Sequence, residues 1–125
     1  MAFYISIDGD DTGSKIAISY FENNEKKLSQ VIQDLHHILS RIQEYLINMG
    51  FEIIFCAADG IACKGKHLNV DEFAKYLKVV GDPGYTFSAG IGSDLQSSYF
   101  ALKYAKSAGK NISVICKEKI IFQIV

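Results

Sequence analysis

A single α+β domain over residues 1–125, an antiparallel sheet covered by helices on one face, is the fold class this sequence predicts, on three observations. Short apolar runs bounded by Gly and Asp turn signals read as buried strands. One long segment repeats its apolar residues at helical spacing. Strands and helices follow one another as β, α, ββ, α, β, α, ββ. Taken in order, Phe3 to Ile7 is a buried strand ending in an Asp-Gly turn. From Asn24 to Met49, Leu28, Ile32, Leu35, Leu39, Ile42, Leu46 and Met49 recur at alternating four and three, a helix that Gly50 stops. Phe51 to Ala57 and Ile61 to Lys66 read as a hairpin around Ala58-Asp59-Gly60. Asn69 or Asp71 caps a helix running to Val79, and Gly81-Asp82-Pro83-Gly84 is a loop. Tyr85 to Gly92 is a strand rich in small residues, and Asp94 to Ala108 a helix ended by Gly109. Strands over Asn111 to Cys116 and Ile120 to Ile124 complete the sheet. The order contains the split βαββαβ core of the ferredoxin-like sandwich.

With 49% hydrophobic residues the chain can bury a real core. A net charge of −1 and a pI near 6.3 give no overall field toward nucleic acid or an anionic membrane, so DNA binding is not expected. Cys56, Cys63 and Cys116 lack a metal-type spacing and read as buried thiols. No basic leader and no run near the roughly 20 apolar residues of a spanning helix is evident, so a cytoplasmic location is expected.

The stretch that carries chemistry is IDGDDTG, where Asp8, Asp10 and Asp11 crowd around Gly9. Like charges so placed need solvent, cations or shifted pKa values. In a βαββαβ sheet the first strand neighbours the hairpin, so Asp8 and Asp59 approach across strands about 5 Å apart. Two carboxylates there can bridge two divalent cations, which settle about 3.5–4 Å apart in phosphoryl-transfer sites. Asp11 with Thr12 reads as a turn capping the next helix. Lys106 and Lys110, spaced i, i+4 near a helix end, also suit the helix dipole. His36 and His37 fall mid-helix and are assigned no role.

FYISIDGDD, IIFCAADG, FSAGIG and ALKYAKSAGKN, in that order, resemble the palm domain of nucleotide cyclases: the GGDEF-type diguanylate cyclases, the polymerase subunit of type III CRISPR complexes and, above all, the minimal CRISPR polymerase (mCpol) proteins. The resemblance covers nearly the whole chain. It implies that Asp8 and Asp59, with the Gly9 carbonyl, bind two Mg²⁺ (or Mn²⁺) ions that activate a ribose hydroxyl for attack on the α-phosphate of a second nucleotide. It implies that Lys106 and Lys110 grip the triphosphate, with Asp10, Asp11, Thr12 and Gly13 in the nucleotide-binding turn. The implied product is a cyclic dinucleotide made from nucleoside triphosphates, ATP first among them, in bacterial antiviral defence, with a membrane-associated effector responding to it. A homodimer is expected, because ring closure needs two steps with donor and acceptor exchanged, and the wide Leu28 to Met49 stripe offers a contact. Where the wider family has Gly-Gly-Asp-Asp or Gly-Gly-Asp-Glu-Phe, this chain has Ala57-Ala58-Asp59-Gly60, lacking two glycines and an acidic residue whose charge Asp10 or Asp11 is placed to supply.

Other signatures compete. DGDDT fits the D-x-D-x-T string of haloacid-dehalogenase-type phosphatases, with Asp8 as nucleophile and Asp10 as general acid. Thr86 stands where a late acidic ligand is required, and an antiparallel hairpin order does not suit that fold's parallel sheet. Asp11-Thr12-Gly13 resembles half an aspartic protease, but this much helix contradicts that all-β fold. Gly9 to Lys15 has neither the spacing nor the Lys-Ser order of a P-loop. A palm that binds nucleotides without turning them over remains the competitor from another class.

Overall fold

The computed structural model describes residues 2–57, 59–118 and 123–124. Its elements run β1 (Phe3–Gly9), α1 (Thr12–Phe21), α2 (Glu25–Asn48), β2 (Glu52–Ala57), β3 (Gly60–Gly65), α3 (Val70–Val79), β4 (Phe87–Gly92), α4 (Leu95–Ser107) and β5 (Ser113–Ile115). The strand expected over 120–124 falls largely outside the described residues.

Local chemistry sets the helix ends. The Asn24 and Asn69 side chains accept from the backbone N–H of Lys27 and Glu72, and Asp94 and Ser97 form a capping box at the start of α4. At the end of α2, Gly50 takes φ +90°, and the Gly50 and Phe51 N–H groups close back onto Ile47 and Leu46. Helix α1 is absent from the sequence reading, because TGSKIAISYF mixes glycine, serine and β-branched residues with little amphipathic contrast.

The sheet order is β2-β3-β1-β4-β5. The first four strands pair antiparallel in the expected βαββαβ arrangement. Two details of the expectation are corrected. β5 pairs parallel to β4, because α4 carries the chain back between them, so the sheet is mixed. The helices also cover both faces. Ile5, Ile7, Phe87, Ala89 and Ile91 share a core with Leu35, Leu39, Ile42, Leu46 of α2 and Phe73, Leu77 of α3. The alternate residues Ser6 and Gly90 face α4, with Ser6 Oγ 2.9 Å from Ser98 Oγ. A Cβ on Gly90 would lie 2.1 Å from the Ser98 carbonyl oxygen, so the α4 backbone rests directly on β4.

Val31, Leu35, Ile38, Leu39, Ile42 and Leu46 of the α2 stripe are buried in this core, while Ile32 stays half exposed. Cys63 is fully buried and its thiol is pushed up to about 12 by that burial, as expected of a structural thiol, while Cys56 and Cys116 are partly exposed. Among the described residues no helix is long and apolar enough to cross a membrane.

Candidate active site

The acidic turn lies where β1 ends between β3 and β4. Asp8 pairs with Gly60 on one side and Ser88 on the other, so the β2–β3 turn bearing Asp59 is held against it. The Gly9 N–H donates to the Asp59 carbonyl at 2.9 Å. Gly9 is required here, since a Cβ would stand 2.6 Å from the Thr12 methyl and 3.5 Å from the Asp59 Cβ. The Asp8 and Asp59 carboxyls are thereby neighbours. Burial raises the Asp8 pKa, Lys106 opposes the rise, and the facing Asp59 adds to it.

Lys106, from the last turn of α4, enters this cluster. Its Nζ donates to the Gly9 carbonyl and to Asp10 Oδ1, both at 2.8 Å, and lies 3.3 Å from Asp8 Oδ2. Asp10 is the most enclosed carboxylate, 3% exposed. Besides Lys106 it accepts from Ser88 Oγ at 2.7 Å, Thr86 Oγ1 at 2.8 Å and the Asn111 N–H at 2.9 Å. Burial alone would raise its pKa, but these four donors outweigh it and hold Asp10 below the usual carboxylate range. The Asn111 N–H reaches it because Gly109, Lys110 and Asn111 all take positive φ after α4. Left-handed backbone at two consecutive non-glycine residues is uncommon and is kept only where the surroundings enforce it.

Asp11 departs from its expected capping role. It is the α1 N-cap residue, at φ 57°, yet its side chain makes no capping bond and instead pairs with Lys110. That pairing raises the Lys110 pKa. Thr12 Oγ1 donates to Asp59 Oδ2 and fixes the hairpin carboxylate from the α1 side. Gly13, in the first turn of α1, has open space around it.

A cavity of about 490 Å³ opens between α1, α2 and the hairpin, with Thr12, Gly13 and Asp59 at one end. Ile16, Ile32, Leu35 and Leu39 line its apolar wall, and His36, Ser40 and Gln43 its polar wall. In the sequence His36, Ser40 and Gln43 form no recognisable motif. Their signal was a polar row at four and three spacing beside the apolar stripe of α2. Ser88, Thr86 and Asn111 were missed as well, being ordinary strand and loop residues until the fold gathers them on Asp10.

The donors at the Asp8–Asp59 end are hard oxygens, two carboxylates and the Gly9 carbonyl, which suit Mg²⁺ or Mn²⁺. Among the described residues no three His, Cys, Asp or Glu side chains gather closely enough to hold a metal ion by themselves. Such a donor set fits the usual Mg²⁺ pattern of one or two carboxylates completed by ligand phosphates and water.

The backbone resembles solved cyclase domains. The GGDEF domain of DgcB from Caulobacter crescentus, in complex with c-di-GMP, matches with TM-score 0.65 and 13% identity over 94% of this chain and 76% of that one. The active GGEEF domain of a diguanylate cyclase from Vibrio cholerae matches with TM-score 0.61 and 15% identity over 94% and 84%. A diguanylate cyclase/phosphodiesterase from Caldicellulosiruptor saccharolyticus gives 0.60 and 18% over 91% and 75%. No curated protein matches significantly. These likenesses establish the palm-like fold, and residues 4–116 match the minimal CRISPR polymerase domain. The chain therefore belongs to the mCpol family of minimal CRISPR polymerase domains.

Proposed function

We propose that this protein is a divalent-metal-dependent nucleotidyltransferase that joins two nucleoside triphosphates, ATP by preference, into a cyclic dinucleotide. The observation that carries the reading is the facing Asp8–Asp59 pair, flanked by Lys106, with Asp59 lining the 490 Å³ cavity. In each step an acceptor ribose hydroxyl oxygen bonds to the donor's α-phosphorus. The bond from that phosphorus to the β-bridging oxygen breaks, pyrophosphate leaves with the electron pair, and the hydroxyl proton passes to solvent. Ring closure repeats the step with donor and acceptor exchanged.

Asp8, Asp59 and the Gly9 carbonyl are the protein groups that would hold two Mg²⁺ or Mn²⁺ ions. Bound there, the cations supply acidity to the hydroxyl and charge compensation to the phosphates. Lys106 and Lys110 would neutralise triphosphate oxygens, and the uncapped first turn of α1, from Thr12 and Gly13 onward, offers free N–H groups to them. Asp11 would release Lys110 to the nucleotide as it binds. Asp10 is assigned a positioning role in place of direct nucleotide contact, since its oxygens are already taken by four donors. The preference for adenine is assigned to Gln43, whose amide can match the adenine N6/N7 edge, with Asp59 left to the cation end. By analogy with the family's defence setting, the product would act as an antiviral signal read by a membrane-associated effector.

A phosphatase using Asp8 and Asp10 is disfavoured, because a buried carboxylate held ionised cannot serve as the general acid. The test is to incubate the protein with the four triphosphates and Mg²⁺ or Mn²⁺ and to identify products by mass spectrometry. A cyclic dinucleotide is expected from wild type and none from Asp8→Asn or Asp59→Asn, while Lys106→Ala with Lys110→Ala should raise KM at least tenfold. A fully active Asp59→Asn variant would overturn the reading, and nucleotide binding without product would leave a non-catalytic palm.

A further inference from the structure

The ammonium of Lys106 is enclosed by oxygens. The Gly9 carbonyl and Asp10 Oδ1 accept from Nζ at 2.8 Å each, and Asp8 Oδ2 and the Asp8 carbonyl lie at 3.3 and 3.4 Å. With three donors and no acceptor, an ammonium fills such a nest as a compact unit charge. Two of these oxygens, the Gly9 carbonyl and Asp8 Oδ2, belong to the donors assigned above to divalent cations. Lysine and cation on the same carbonyl would stand about 4 Å apart, where like charges repel. The Gly9 carbonyl therefore takes one or the other.

The rest of the donor set is not contested. Asp8 divides its carboxyl: Oδ2 faces Lys106, whereas Oδ1 lies on the hairpin side, 3.4 Å from where a Cβ on Gly60 would stand. Asp59 accepts from Thr12 Oγ1 and faces Asp8. Lys110 stands apart, its ammonium on Asp11. The cluster thus offers one cation position on Asp59 and the hairpin side of Asp8, and a second at the Gly9 carbonyl that the protein fills with a charge of its own. Lys106 also has somewhere to go. Its side chain is 22% exposed, and triphosphate oxygens would return the negative charge it gives up on leaving the nest.

We propose that Lys106 is the resident counter-cation of the second metal position: it holds the Gly9 carbonyl in the free protein and passes to the triphosphate when a nucleotide brings the second divalent ion. The proposal rests on the nucleotidyl-transfer reading above and adds an order of assembly to it. One divalent ion binds the free chain at Asp59 and Asp8. The Gly9 carbonyl becomes a metal ligand only as Lys106 is drawn to phosphate, so one side chain couples metal binding to nucleotide binding and the full cation pair forms only around substrate.

Electron paramagnetic resonance titration with Mn²⁺ counts the ions directly. Wild type is expected to bind one Mn²⁺ per chain alone and two with α,β-methylene-ATP, and the spin coupling of ions about 4 Å apart should appear only with the nucleotide. Lys106→Met should bind two Mn²⁺ without nucleotide and show that coupling. Lys110→Ala removes a positive charge from the same cluster but no bond to the Gly9 carbonyl, so its count should stay at one. Lys106→Gln, shorter and neutral, replaces Lys106→Met if circular dichroism finds the latter unfolded. Two ions on nucleotide-free wild type, one on the folded Lys106 variant, or two on Lys110→Ala would each overturn the exchange. No Mn²⁺ on wild type, with or without nucleotide, would instead overturn the metal-dependent reading.

Discussion

Asp8 and Asp10 are two residues apart and differ in what ionisation costs them. Asp8 has a raised pKa, so its charged form weakens the fold, and this cost is present once the pH has risen through its folded pKa. Asp8→Asn should therefore raise Tm at pH 7 while abolishing activity. Asp10 has a lowered pKa, so it stabilises the fold above the ordinary value of 3.8, and that contribution is lost as the pH falls through its folded pKa. Asp10→Ala takes the acceptor from the Ser88 and Thr86 hydroxyls and from Lys106, leaving the Asn111 N–H only Ser88 Oγ, and should cost about 2–4 kcal/mol in urea unfolding. It should also flatten the acid limb of the stability curve below that pH. An unchanged Tm in Asp10→Ala would remove Asp10 from its positioning role. Asp8 and Asp59 were legible in the sequence because a strand end and a hairpin turn announce themselves locally. The burial of Asp10 was not, because its partners come from β4 and from the turn after α4.

Among the elements, the hairpin, α2, α3 and the β1–β4 pairings could be read from periodicity and turn residues. Helix α1 could not, for want of contrast, and the position of α4 was misjudged. The small residues of FSAGIG were visible, yet their meaning depends on what rests on them. With the Ser98 carbonyl and the Leu102 N–H closing on the space where a Gly90 Cβ would stand, at 2.1 and 2.2 Å, α4 has no room to retreat. Gly90→Ala should thus destabilise by more than about 3 kcal/mol. Gly13→Ala, with nothing within 4 Å of the new methyl, should stabilise α1 by about 0.5–1 kcal/mol. Thermal melts of the two variants check the contrast, and comparable melting temperatures would count against a tight α4–β4 contact.

For the molecule as a whole, the acidic cluster sets four carboxylates, Asp8, Asp10, Asp11 and Asp59, against two ammonium groups, Lys106 and Lys110, a surplus of two negative charges. Mg²⁺ alone should therefore stabilise the fold by linkage, by about 2.7 kcal/mol at a hundredfold excess over Kd and seen as a higher Tm, and the gain should vanish in Asp59→Asn. The contact of α4 with Gly90 has a further, kinetic consequence. Because the helix is seated on bare backbone, Lys106 is carried on a fixed mount, and what can move between the Gly9 carbonyl and an incoming triphosphate is the side chain beyond its Cα. Rotamer changes of that kind take picoseconds to nanoseconds, against microseconds to milliseconds for the lids and hinges that pace many enzymes. The clock of such a palm would then be set by phosphoryl transfer or product escape, and viscosogens that slow large-scale closure should leave its single-turnover rate unchanged.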